Sequence, residues 1–179
     1  MKKLFLPVMA FFVLALSGCS STIDNVKKDQ IAKDAQVAKT AFINSSTNLD
    51  ELFQKSEGYA IFPNVGKGAM VAGGASGNGA VYQKGNLIGY AKLKQVDIGF
   101  QLGGQAFRQV ILFQTTKELE RFKNGNFELS GNASAVAMDD GVAKSVEFRD
   151  GLAIATMPKA GAMIEVSVGG QKFEYIPLN

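Results

Sequence analysis

Histidine and tryptophan are absent from this 179-residue chain, cysteine occurs once and proline four times. Without histidine, the side chain that most often moves protons at neutral pH is missing, and so is the commonest metal ligand. Ser-His-Asp and Cys-His nucleophilic sites are excluded, as are zinc sites built on His and Cys. Carboxylate pairs and Ser-Lys pairs remain chemically available, but no spacing in the sequence brings such groups together. The expectation is a protein that is not an enzyme, with no metal and no cofactor. A lone cysteine permits no intrachain disulfide, so the fold stands on packing. A large excess of positive charge is also missing. The 19 basic and 16 acidic side chains give +3, which is not the electrostatic footprint of a nucleic-acid binder.

What is present begins at the first residues. Lys2 and Lys3 precede Leu4 to Leu16, a run free of charge and rich in Leu, Phe and Val, and small residues follow. This order is that of an export signal, and the apolar core is shorter than the roughly 20 residues of a relaxed helical crossing. Leu16-Ser17-Gly18-Cys19 resembles the bacterial lipobox. The resemblance implies cleavage before Cys19, diacylglycerol on its sulfur and a further acyl chain such as palmitate on its new amino group. Two or more acyl chains hold a protein stably on a bilayer. Ser20 after the cysteine, by the sorting rule that such lipoproteins follow, implies the outer membrane with the domain facing the periplasm. The expected division is a signal peptide over 1–18, a lipidated tether over 19–25 and one domain over 26–179. Without Lys2 and Lys3, 17 basic side chains remain against 16 acidic, a net charge of +1.

From Val26 to Phe42 the chain reads as helix, with Ile31, Ala35, Ala38 and Phe42 on one stripe. Lys27, Lys28, Lys33 and Lys39 mix with Asp29 and Asp34 elsewhere on it. The stripe suits packing on a sheet; it also suits a helix lying on a membrane surface. Thr47 reads as the cap of a short helix buried through Leu49, Leu52 and Phe53, and Thr115 with Glu118 as the cap of another. Most of the rest reads as short strands. Tyr59 to Phe62 is bounded by Gly58 and Pro63, Lys84-Gly85-Asn86 is a turn, and Leu87 to Lys94 is a strand with Leu87, Ala91 and Leu93 on one face. Val110 to Phe113 is apolar on both faces, as in the middle of a covered sheet. Val146 to Arg149 alternates before the hairpin signal Asp150-Gly151, and Ile164 to Val168 and Phe173 to Tyr175 alternate again. These elements predict an α+β domain, a strongly curved, mostly antiparallel sheet tending to a barrel and covered by a few helices.

The chain contains 20 glycines, and Gly73-Gly74-Ala75-Ser76-Gly77-Asn78-Gly79 is their densest stretch. Gly73, Gly74, Ser76, Gly77 and Gly79 admit two readings: a bend or bulge in a sheet, or a nest of backbone N–H groups for an anion. The stretch lacks the Lys-Ser/Thr pair of a P-loop and the flanks of a dinucleotide loop.

Gly58-Tyr59-Ala60-Ile61-Phe62-Pro63-Asn64-Val65, followed by Gly68 to Gly79, resembles the opening of a SYLF domain, the module of the Ysc84 family (Las17-binding protein actin regulators). Asp97 to Gln105, Val110 to Phe113 and Gly131 to Ala135 agree, so the resemblance spans Ile31 to Pro177. It implies lipid binding: eukaryotic members engage phosphoinositide membranes, and yeast-type members bind actin, an activity that an exported bacterial chain has no occasion to use. The lipid function maps by position to the N-terminal helix, to Lys27, Lys28, Lys33 and Lys39 with Ile31 and Phe42 as the apolar component. Asp29 and Asp34 dilute that basic character. No catalytic residues are implied. The expectation is a non-enzymatic, lipid-anchored envelope protein that binds phospholipid headgroups; the alternative is a structural or stress-response adaptor for an envelope protein.

Overall fold

The computed structural model describes residues 23–46, 48–68, 74–96, 105–125, 127–129, 135–138, 145–159 and 170–178. Cys19, Gly73, the motif Asp97 to Gly104 and the alternation of Ile164 to Val168 lie outside them. Helix α1 (Asn25–Ser45) and the short α2 (Leu49–Lys55) lead into β1 (Gly58–Gly68), β2 (Gly74–Gln83), β3 (Asn86–Val96) and β4 (Gln105–Phe113). Then follow α3 (Thr116–Lys123), the two-residue strands β5 (Glu128–Leu129) and β6 (Val136–Ala137), β7 (Leu152–Pro158) and β8 (Gln171–Pro177). All eight strands join one sheet in the order β5-β8-β3-β2-β1-β4-β7-β6. Pairing is antiparallel except between β6 and β7. This is the expected α+β class with a curved, mostly antiparallel sheet.

The sheet curls until strands far apart in its order meet. Gln109 on β4 donates to Gln171 on β8 at 2.7 Å, although β1, β2 and β3 separate those strands. Phe62 on β1 and Phe173 on β8 lie 5.6 Å apart between ring centroids. The concave face holds six phenylalanines, Phe62, Phe107, Phe113, Phe122, Phe127 and Phe173, with Leu93, Ile111 and Ile154. Helix α3 closes it with Leu119 and Phe122. The convex face carries Tyr59, Tyr82, Tyr90, Ile61 and Val110, and α1 covers it with Ala35, Ala38 and Phe42. Packing, one of the two readings of the α1 stripe, is what places Phe42 at 0% exposure.

Local signals explain most boundaries. Lys84 and Gly85 adopt φ of 47° and 81° between β2 and β3, the left-handed pair of a tight hairpin turn. Asp150 and Gly151 do the same at 50° and 80°. Thr115 caps α3, accepting from the Lys117 N–H at 3.3 Å and donating to the Glu118 carboxylate. That hydrogen bond holds the Glu118 carboxyl below its ordinary range, against the opposing effect of burial.

Three details differ from the sequence reading. Pro63 does not end β1. The strand runs on to Gly68 because Pro63 sits in a bulge, where β1 gains one residue against both β2 and β4; a bulge tolerates the missing N–H. A second irregularity leaves Ile88 without a partner between Val81 and Tyr82, so Leu87 packs with the convex cluster rather than with Ala91 and Leu93. Val146 to Arg149 forms no extended strand, only an isolated bridge from Arg149 to Leu152. Val146 instead meets Asn48, whose side-chain amide donates to its carbonyl at 2.7 Å and accepts from its N–H at 3.2 Å. Asn48 is the N-cap of α2, and Thr47 lies outside the described residues.

Candidate functional site

Helix α1 carries the expected lipid-binding residues, and they do not form one patch. Lys27 and Lys33 are exposed; Lys27 stands 3.9 Å from Asp24, an exposed pair of little energetic weight. Lys28 and Lys39 lie back onto the sheet. The Lys28 ammonium is 5.8 Å from the Tyr90 ring centroid. That of Lys39 is 4.8 Å from the Tyr59 ring and 4.9 Å from the Phe53 ring, and it donates to the Tyr59 hydroxyl at 3.1 Å. Ile31 is half-buried against the convex cluster and Phe42 wholly buried. The apolar stripe is therefore committed to the sheet, and Phe42 offers nothing to a bilayer in this conformation.

The tyrosines below α1 form a row across β1, β2 and β3. Tyr59 and Tyr82 stack at 5.0 Å, and Phe53 meets Tyr59 edge-on at 5.0 Å. Burial pushes the phenols of Tyr82 and Tyr90 up from their ordinary value; a hydrogen bond with Gln36 partly offsets this for Tyr82, and Asp29 adds to it for Tyr90. Thus α1 meets the sheet through small alanines and the polar tips of tyrosines.

Beside this row, between α1, α2 and the β2–β3 turn, opens a cleft of about 590 Å³, within the usual size range of ligand pockets. Lys39, Phe53, Gln54, Tyr59, Lys84 and Gln114 line it, with the carboxylates of Asp50 and Glu57 also on its wall. Both carboxylates have partners: Gln54 donates to Asp50 at 3.0 Å, and Glu57 accepts from Gln83 at 2.9 Å and lies 3.6 Å from Lys84. Of these lining residues, only Lys39 figured among the expected site residues. The others come from separate segments, and Lys84 carried only the signal of a turn.

The glycine stretch from Gly74 to Gly79 is strand. Gly74, Ser76 and Gly77 pair with both β1 and β3, Gly79 pairs with Ala91 of β3 opposite the β1 bulge, and Ser76 is exposed. A Cβ on Gly79 would lie 2.6 Å from the Ile61 carbonyl oxygen and 2.7 Å from the Phe62 ring, and one on Gly77 2.8 Å from the Asn64 carbonyl oxygen. Gly79 lets the β1 bulge press the Phe62 ring onto β2, and Gly77 lets Asn64 and Val65 come close. The backbone groups of these glycines sit in ladder pairing rather than in a nest. Among the described residues no cluster of three His, Cys, Asp or Glu side chains is placed to hold a metal ion, and no helix is long and apolar enough to cross a membrane.

This combination of a glycine-packed curled sheet and a lysine-bearing first helix can be set beside known proteins. Residues 94–175 match the Ysc84 family, Las17-binding protein actin regulator. The Ysc84 match begins in β3 and takes in β4, α3 and the strands from β5 to β8. The motif Gly58 to Gly79 and the helices α1 and α2 precede it, so it is narrower than the resemblance from Ile31 to Pro177. Beta cell expansion factor A of Aeromonas veronii is similar along more of the chain, 24% identical over 166 residues, covering 88% of this chain. The chain spans 64% of the length of that relative.

Proposed function

We propose that this chain is a non-enzymatic, lipid-anchored protein of the bacterial envelope. Its Ysc84-like domain rests on the outer-membrane inner leaflet and contacts phospholipid headgroups. One observation carries the reading: the folded domain starts almost at the anchor. Ile23, only four residues after Cys19, is already buried in the convex cluster. Four residues reach at most about 14 Å when fully extended, so acylated Cys19 would hold α1 beside the headgroups. The Ysc84 match supports lipid contact by the domain. The burial of Phe42 and the exposure of Lys27 and Lys33 favour electrostatic contact over insertion. Each lysine close to an anionic surface contributes about 1 kcal/mol, and salt weakens it.

The same geometry favours a second reading. With its apolar stripe buried, α1 presents a surface of mixed charge, Lys33 beside Asp29 and Asp34, which also suits a protein partner in the envelope.

Two measurements test the proposal. Metabolic labelling with an alkyne fatty acid should mark the wild-type protein and leave Cys19→Ser unlabelled and unprocessed; an unlabelled wild type removes the anchor. Co-sedimentation with vesicles of rising phosphatidylglycerol content should show binding that weakens with salt and with Lys27→Gln plus Lys33→Gln. Failure to bind anionic and neutral vesicles alike, at low salt and with the fold intact, moves the assignment to the protein adaptor.

A further inference from the structure

Among the described residues, the cleft between α1, α2 and the β2–β3 turn contains one cation without a counterion. Lys39 is half-buried, its ammonium fixed over the rings of Phe53 and Tyr59 and tied to the Tyr59 hydroxyl. No carboxylate among the described residues stands within ion-pair distance of it. The cleft's two other lysines do have acidic partners, Glu51 for Lys55 and Glu57 for Lys84. Of the two carboxylates on the wall, Glu57 lies beside Lys84 and Asp50 accepts from the neutral amide of Gln54. A lysine ammonium has three donors, and the Tyr59 hydroxyl uses one. Ring faces offset part of the charge but accept no strong hydrogen bond. The same cleft is lined by Lys84, exposed and 3.6 Å from Glu57, and by Gln114.

From these facts we infer that the cleft is a binding site for a phosphate group, seated on Lys39 and closed over by Lys84 and Gln114. A tetrahedral oxyanion takes the remaining Lys39 donors and meets the second lysine and an amide. The site depends neither on the anchor on Cys19 nor on the exposed lysines of α1. A phospholipid headgroup and a free phosphate ester share this chemistry.

The test uses the full-length protein, uniformly labelled with nitrogen-15, in non-ionic detergent at constant ionic strength. Inorganic phosphate, glycerol 3-phosphate and dihexanoyl-phosphatidylglycerol are titrated separately while amide resonances are followed. Saturable shifts centred on Lys39, Tyr59 and Gln114 are expected. Lys39→Gln should weaken the binding by roughly tenfold or more, as the loss of a charge-assisted hydrogen bond does. Lys84→Gln should weaken it by roughly threefold, the smaller cost of an exposed charge, and Lys33→Gln, on the exposed side of α1, should leave it unchanged. Shifts with all three probes identify a site for phosphate itself; shifts with the lipid alone identify a headgroup held together with its acyl chains. Absence of saturable shifts at the cleft with every probe overturns the inference, and so does equal weakening by Lys33→Gln. If Lys39→Gln does not fold, the wild-type shift map and Lys84→Gln decide alone.

Discussion

The two faces of the sheet are built on opposite plans. The concave face is filled with phenylalanine. Phe122 alone meets Phe113, Phe127 and Phe173, with centroids 5.1 to 5.4 Å apart, and Gly79 opposite the β1 bulge makes room for Phe62. The convex face is floored with tyrosine, and its cover, α1, contributes alanines and half-buried lysines. One face fits by shape, and its stability comes from dispersion and exclusion of water. The other keeps hydroxyls and ammonium groups at its seam. Ligand chemistry belongs at such a seam: the amides of Gln95, Gln109 and Gln171 inside the concave face are bonded to one another, whereas the seam keeps polar tips beside an open cleft.

The largest effect should come from opening the concave face. Phe122→Ala removes the ring that joins α3 to β8 and should cost about 3–5 kcal/mol, read as a lower urea midpoint. A cost below about 1 kcal/mol would mean that α3 is not the cover of that face. Next come two glycines of the same sheet. Gly79→Ala drives a methyl into the Ile61 carbonyl and the Phe62 ring and should cost about 1–3 kcal/mol. Gly66 has open space where its Cβ would stand, and Gly66→Ala should be neutral or stabilising by up to about 1 kcal/mol. Equal effects at the two positions would remove the close-packing account of the glycine stretch.

The smallest effect is read by pH. Burial raises the folded-state phenol pKa of Tyr82 and Tyr90, which favours the neutral form in the fold. Their contribution is fully present below the ordinary tyrosine value near 10 and is lost as pH rises through the raised folded values. Urea midpoints measured from pH 8 to 11 should therefore fall at the alkaline end, and Tyr82→Phe should flatten that fall. Phe122→Ala should lower the whole curve without changing its alkaline slope. An alkaline slope untouched by Tyr82→Phe would remove Tyr82 as its source and leave Tyr90 and, beside the concave cluster, Tyr175, whose phenols burial also raises.

What the sequence disclosed divides along physical lines. Caps and turns were legible because their signals are local: Thr115 with Glu118, Lys84-Gly85 and Asp150-Gly151 each lie within four residues. The apolar-on-both-faces run Val110 to Phe113 indicated a covered strand for a similar reason. Features made by distant residues were not legible. Asn48 grips Val146 across 98 positions. Gln95, Gln109 and Gln171, buried together and joined amide to amide, carry no local signal, because only the curl brings them inside. The bulge at Pro63 was hidden because proline ends more strands than it bends. The candidate site suffered the same limit. Lys39 was visible as one of four helix lysines, but what distinguishes it, the rings of Phe53 and Tyr59 and the facing Lys84, comes from three other segments.

The strand order also carries a consequence for how the chain assembles. β1, β2 and β3 are consecutive neighbours, a meander that forms by short hairpin closures. The two late strands then go to opposite sides, β7 onto β4 and β8 onto β3. The amide links from Gln171 to Gln95 and Gln109 exist only after β8 has docked. A chain that emerges N-terminus first thus waits with β3 as an open hydrogen-bonding edge until its last segment arrives. That interval is the window in which a chaperone, or a second unfinished copy, competes for the same edge.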